Sequence, residues 1–203
     1  MATIDMETVK DLRARTGAGV LDCKKALVAC DGDINKAIDV LREKGLAKAV
    51  SKASREASDG MVFAYVHAGS QLGVLVQLNC ETDFVAKTDD FQNLGKEIAI
   101  QIAGTDPSYI RPADIPADVI EHEKEFSRPQ LADEKKPEQF WDKIIEGKLG
   151  AYYKENCLMQ QQYIRDESKT IEELIKAIIA KTGENIVVAR FARFKIGGNP
   201  TVC

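Results

Sequence analysis

The hydrophobic periodicity of the chain first changes at Gly60, and that change restricts the fold more than any other feature. Before it, apolar residues recur at helical spacing; after it, they alternate as in a strand. Three short helices are predicted in the first 45 residues. Asp5 can cap a helix carrying Met6, Val9 and Leu12 that stops near Gly17. A second begins after Gly17-Ala18-Gly19 and aligns Val20, Cys23, Leu27 and Cys30. A third follows Asp33 as its cap, places Ile34, Ala37, Ile38 and Leu41 at i, i+3, i+4 and i+7, and ends at Gly45. Helices of this length form a small self-contained bundle. Residues 46–59 (LAKAVSKASREASD) have little apolar stripe and read as a linker, helical at most in its first turns.

Beyond Gly60, Met61–His67 and Gly73–Cys80 read as an antiparallel hairpin, with Val74, Val76, Leu78 and Cys80 on one face. A loop, Glu81–Lys87, leads to a helix from near Thr88 whose inner face is Phe91, Leu94, Ile98 and Ile102. Residues 104–118 hold three prolines and a glycine and serve as a connector; Pro116 opens a charged helix reaching about Phe126. Ser127–Pro137 reads as polar and mobile. Trp141, Ile144, Ile145 and Leu149 mark a further helix ending before Gly150. Thr170-Ile171-Glu172-Glu173 is a capping box ahead of Ile171, Leu174, Ile175 and Ile178, with Gly183 as the stop. Ile186–Ile196 is the last strand, with Val188, Arg190, Ala192 and Phe194 on one side and Val187, Ala189, Phe191 and Arg193 on the other. The expected class is α+β: a three-helix bundle (1–45), a linker (46–59), and an α+β core (60–203) with about three antiparallel strands covered by helices.

Composition narrows the function. Hydrophobic residues make up 44% and charged residues 30%, ordinary for a globular chain that needs no disulfide or metal to hold a core. Five scattered cysteines without a C-x-x-C pair suggest reduced thiols, and two isolated histidines offer no metal-ligand cluster. No cofactor or metal is expected. The first residues lack a basic or apolar leader pattern and no apolar run approaches membrane-spanning length, so a cytoplasmic protein without a membrane partner is expected. Residues 1–57 hold 11 Lys and Arg against 9 Asp and Glu, while the whole chain is at −4. That excess is too slight to indicate nucleic acid, and a protein partner fits better.

Three constellations carry information. Gly17-Ala18-Gly19 precedes a helix with Lys24 and Lys25, yet neither P-loop nor dinucleotide spacing is present, so an interhelical turn is the plain reading. Val20 and Leu21 lie about 100° apart on a helix and cannot share one small core. Leu21 among Lys24, Lys25 and Val28 is either partner-binding surface or partly buried. Phe84 and Val85 sit between Asp83 and Lys87 where turn residues are usual. Phe84 either folds back over the strand–helix junction or forms an exposed apolar tip. No nucleophile–base arrangement emerges, so covalent catalysis is not expected. Arg190 and Arg193 flanking Phe191 leave an RNA-stacking strip open as an alternative.

Thr16-Gly17-Ala18-Gly19, Asp22-Cys23-Lys24-Lys25-Ala26-Leu27 and Gly32-Asp33 together resemble the ubiquitin-associated-type (UBA-like) N-terminal domain of the elongation factor Ts family. Asn79-Cys80-Glu81-Thr82-Asp83-Phe84-Val85-Ala86 resembles that family's core signature, and Ser168-Lys169-Thr170-Ile171 and Arg190-Phe191-Ala192-Arg193-Phe194 also match. The resemblance spans essentially the whole chain. It implies a guanine-nucleotide exchange factor for elongation factor Tu in translation, one that dislodges Mg²⁺ and promotes GDP release without covalent chemistry. By position, Val9, Lys10, Arg13, Val20, Leu21 and Lys24 would grip the partner's GTPase domain. Thr82, Asp83, Phe84 and Val85 would form the wedge. The length resembles the short form with one core subdomain, which implies a homodimer. A non-catalytic UBA-like adaptor or an RNA-binding translation protein are the competing classes.

Overall fold

The computed structural model describes residues 4–133 and 137–203. The chain is α+β, with a four-stranded antiparallel sheet in the order β1-β2-β5-β6 and a small two-stranded sheet, β3-β4. Its strands are β1 Asp59–Val66, β2 Leu72–Cys80, β3 Gln162–Tyr163, β4 Asp166–Thr170, β5 Ile186–Lys195 and β6 Thr201–Val202. Two compact units divide it. One holds the residues up to Met61 with Leu78–Leu94 and Glu173–Val187; the other holds Val62–Gln77, Gly95–Glu172 and Val188–Cys203.

The first unit contains the helical bundle, α1 Met6–Thr16, α2 Val20–Ala29 and α3 Ile34–Lys52. Its own core is Val9, Leu12, Cys23, Ala26, Leu27, Ala37 and Leu41. Each fully buried leucine contributes about 1.5–3 kcal/mol by leaving water. Asp33 caps α3 as expected, its carboxylate accepting from the backbone N–H of Asn35 and Lys36. Asp5 stands at the start of α1, but its side chain makes no capping bond. Gly17 takes the left-handed φ of +65° that closes α1, its N–H bonded to the Arg13 carbonyl.

Gly45 does not end the third helix. It lies inside α3, where an added Cβ would come 3.1 Å from the Ala180 Cβ on α8, Ile171–Thr182. The glycine permits a close helix crossing. Arg42 pairs with Glu173 at 3.0 Å beside it, and Lys52 donates to the Gly183 carbonyl at the end of α8. Residues 46–52 are therefore helix packed in place, because the partners of this stretch lie far along the chain. α2 is tied to α3 by Asp22, which accepts from Lys44 (2.6 Å) and Lys48 (2.8 Å). Those two hydrogen bonds hold the Asp22 carboxyl at about 2, so it is ionised at neutral pH.

The helix α5 spans Asp89–Thr105. In the second unit, Gly95 meets the sheet closely: a Cβ there would fall 2.2 Å from the Phe63 ring. Gln101, fully buried on α5, donates to the Gln162 carbonyl (3.0 Å) and accepts from the Ile164 N–H (3.0 Å), which fixes β3 against the helix. Helices α6 Ala117–Asp133 and α7 Trp141–Asn156 both outrun their expected ends. α6 continues past Phe126 with Ser127 and Leu131 turned inward, four residues apart on one face, and Pro129 within it. Residues 134–136 of the stretch expected to be mobile lie outside the described residues.

The last strand corrects the expected pattern twice. Buried residues run Ile186 and Val188, then Phe191 and Arg193, so the inward face slips by one residue at Ala189–Arg190. A fourth strand, where about three were expected, also covers its edge: β6 pairs antiparallel with β5, Ala192 opposite Val202 and Arg193 opposite Thr201. Phe191 is buried, and Arg193 is ion-paired to Asp106 at 2.9 Å with its side chain 8% exposed. Neither is presented for stacking on a base, while Arg190 is exposed and donates to the Gln77 side chain at 2.8 Å.

Candidate functional site

The segment after β2 is a single helical turn, α4 Asp83–Ala86, and not the open loop expected. Thr82 is its cap, with extended backbone and its hydroxyl facing the Val85 N–H at 3.5 Å. Alternation along β2 buries Cys80, and the turn then buries Val85 and Ala86 beneath it. Helical spacing forces the residue between Asp83 and Val85 to point elsewhere. Phe84 is 79% exposed, the outward tip of a turn whose other apolar residues fill the junction. The open question about Phe84 is answered by its neighbour: Val85 covers the strand–helix junction.

The turn is held from several directions. Asp83 pairs with Lys87 one turn on, at 2.6 Å. The Thr88 hydroxyl donates to the Val85 carbonyl at 2.7 Å. The Cys80 thiol donates to the Thr82 carbonyl at 3.1 Å. Burial pushes that thiol up to about 11, with the Glu184 charge adding to the effect, so it stays protonated and remains a donor. Glu184 accepts from Thr82 twice, from the backbone N–H (3.0 Å) and the hydroxyl (2.7 Å). Glu81 in turn accepts from the Asn185 backbone N–H at 2.7 Å. Glu81, Glu184 and Asn185 were missed from sequence. Glu81 lies within the Asn79–Ala86 motif with no role of its own assigned there. The only local signal of the other two is their place as a polar pair directly after the helix-stopping Gly183, and the bonded residues lie 102 and 104 positions apart.

The bundle residues separate into two kinds. Lys10 and Arg13 on α1 and Val20, Leu21 and Lys24 on α2 are all exposed. Leu21, at 74% exposure, is as open as Phe84, which favours surface over partial burial; Val28 one face-turn away is exposed too. Val9 differs. It is 2% exposed within the bundle core, so the expected direct contact through its side chain is corrected to a supporting position beneath Lys10 and Arg13. At the Gly17 turn linking α1 to α2 an added Cβ would come 3.1 Å from the Lys181 stem, whose ammonium reaches Asp90 at 2.6 Å. Among the described residues, no group of three or more His, Cys, Asp or Glu could hold a metal ion, and no helix is long and apolar enough to cross a membrane.

Exposed apolar residues on firmly held helical turns define a class of protein that acts through contact surfaces. Comparison with known proteins narrows this class. The family model described as Elongation factor TS matches residues 21–198. The elongation factor Ts of Caldanaerobacter subterraneus subsp. tengcongensis is 56% identical over 194 residues, covering 96% of this chain and 97% of that protein. That of Thermoanaerobacter sp. (strain X514) is 55% identical, covering 96% and 95%, and that of Desulfosudis oleivorans is 51% identical, covering 97% and 100%. The chain belongs to the elongation factor Ts family.

Proposed function

We propose that this chain promotes GDP release from elongation factor Tu by inserting Phe84 between helices of the partner's GTPase domain, while the bundle supplies affinity. Elongation factor Ts proteins are nucleotide exchange factors for elongation factor Tu in translation elongation. The observation that carries the mechanism is the 79% exposure of Phe84 on a turn anchored by its own buried neighbours. Mg²⁺ on the partner demands near-ideal octahedral oxygen geometry, partly from nucleotide phosphates, so a small displacement of its surroundings costs much GDP affinity. Lys10, Arg13, Val20, Leu21 and Lys24 provide a mixed basic and apolar grip. Thr82, Asp83 and Val85 set the wedge. No bond is made or broken, and no cofactor is needed. Linkage makes the effect reciprocal: GDP weakens binding of this chain by the same factor that the chain weakens binding of GDP.

Stopped-flow release of a fluorescent GDP from elongation factor Tu tests the proposal. The release rate is expected to rise with the concentration of this chain and then saturate. A rate indifferent to the chain overturns it.

The chain also forms a homodimer in this reading, through a sheet face instead of the edge. Val62 and Val66 on β1, Leu75 on β2, Phe194 on β5 and Val202 on β6 are large apolar residues left exposed opposite the buried side of their strands. A second copy covers such a face by two-fold symmetry, since the same patch serves both subunits. Light scattering at micromolar concentration should give twice the 22.4 kDa of one chain, and Phe194→Asp should return it to one. A wild-type chain that scatters as a monomer contradicts the dimer.

A further inference from the structure

The two carboxylates behind the wedge are arranged as an exchange. Glu81 precedes Thr82 and binds the N–H of Asn185; Glu184 precedes Asn185 and binds the N–H and hydroxyl of Thr82. The chain segments 81–82 and 184–185 are thereby joined twice, each through the side chain of one and the backbone of the other. Arg55 adds an ion pair to Glu81 at 3.5 Å, and the Asn185 amide donates to the Arg55 carbonyl at 2.8 Å. Bonds to an ionised acceptor are stronger than neutral ones and more strongly oriented.

We infer that Glu184 is a positioning residue for Phe84, holding the start of α4 so that the wedge is oriented before the partner arrives. The inference rests on the wedge reading above. A four-residue helix has no cooperative stability, because one turn fixes several dihedrals for a single hydrogen bond. Its orientation must come from outside. Val85 and Ala86 anchor it from below, but apolar burial is non-directional and leaves the turn free to rock. Glu184 supplies the direction. It fixes both donors of the cap residue, and Phe84 is two residues further on. Removing the carboxylate leaves the turn packed but its first residue loose, so the partner must pay for ordering it at the moment of insertion.

The test is a cycle on the full chain with fluorescent GDP on elongation factor Tu, reading the saturating release rate and the half-saturating concentration separately. Glu184→Ala is expected to lower the saturating rate about 10- to 100-fold, the range that the loss of its two charge-assisted bonds to Thr82 corresponds to. The half-saturating concentration should stay within about twofold, because the bundle grip is untouched. Glu184→Ala added to Phe84→Ala should slow release little further, since a positioning residue then has nothing left to position. Thr82→Val removes only the hydroxyl half of the contact and should slow release less than Glu184→Ala, while Glu184→Gln, which keeps an acceptor at the same place, should recover part of the lost rate. These two decide the matter if Glu184→Ala does not fold.

Two outcomes overturn the positioning role and leave the wedge intact: slow release by Phe84→Ala with wild-type release by Glu184→Ala, or defects that multiply in the double variant. Wild-type release by Thr82→Val, or equal release by Glu184→Ala and Glu184→Gln, overturns it as well. Wild-type release by Phe84→Ala alone overturns the wedge itself, and the positioning role falls with it.

Discussion

Replacing Phe84 by Ala should leave the protein as stable as before and slow its catalysed GDP release by about 10- to 100-fold, the range that 1.5–3 kcal/mol of lost phenylalanine burial in the complex allows. The stability half follows from exposure. A side chain 79% open to solvent leaves no cavity when truncated, and surface changes of that kind stay within about 0.5 kcal/mol. A buried phenylalanine would instead cost about 3–5 kcal/mol. Melting and release kinetics on one preparation distinguish these. Asp83→Asn is a built-in comparison, because it weakens the 2.6 Å pair with Lys87 while leaving the apolar tip in place. Its release defect should be the smaller one. Normal melting with normal release by Phe84→Ala would remove the wedge, whereas a large drop in melting temperature would show that Phe84 fills a core.

The largest stability effect is expected at Gly60. Its φ is +144°, and an added Cβ would stand 2.2 Å from the Leu78 carbonyl oxygen and 2.7 Å from the Asn79 Cα. Both are backbone atoms, which cannot swing aside as a flexible side chain does. Gly60→Ala should therefore destabilise by roughly 2–4 kcal/mol, overpacking and strained backbone acting together. For a chain of this length that is a fall in melting temperature of about 5–15 °C. Gly69 provides the control: its φ is +89°, but nothing lies within 4 Å of the added atom, so Gly69→Ala carries only the conformational cost. Equal melting of the two variants would mean that the close approach at Gly60 does not govern stability. The contacted residues, Leu78 and Asn79, directly precede Cys80 on β2, so movement there would be passed to the cap of α4.

What the sequence discloses here is mostly what is local. The starts of the three N-terminal helices are visible because Asp33 and the Gly17–Gly19 turn act on residues within four positions of themselves. β2 is visible because its alternation is strict from Val74 to Cys80. Gly45 misleads because a glycine that ends a helix and one that admits a neighbour look alike; the distinguishing atom is the Ala180 Cβ, 135 residues on. Pro129 misleads in the same way, since a proline reads as a breaker unless the inward-turned Ser127 and Leu131 around it are known. β6 is too short to show a period. The Thr82–Val85 segment was legible as a motif, but the exposure of its tip depended on whether Phe84 or Val85 would go inward. The Glu81–Glu184 exchange had no legible counterpart, because neither residue carries a pattern until the two turns are brought together.

The continuity of α3 has a mechanical meaning. Nineteen residues at 1.5 Å each make an unbroken rod of about 28 Å, beginning at the capped Asp33 end inside the bundle. Its far end is the Lys52 ammonium on the Gly183 carbonyl, next to Glu184. A flexible tether at residues 46–52 would absorb any tilt given to the bundle by a bound partner. A helix transmits it. In the proposed function, a partner docked at one end of the rod would load the other, beside the turn that carries Phe84.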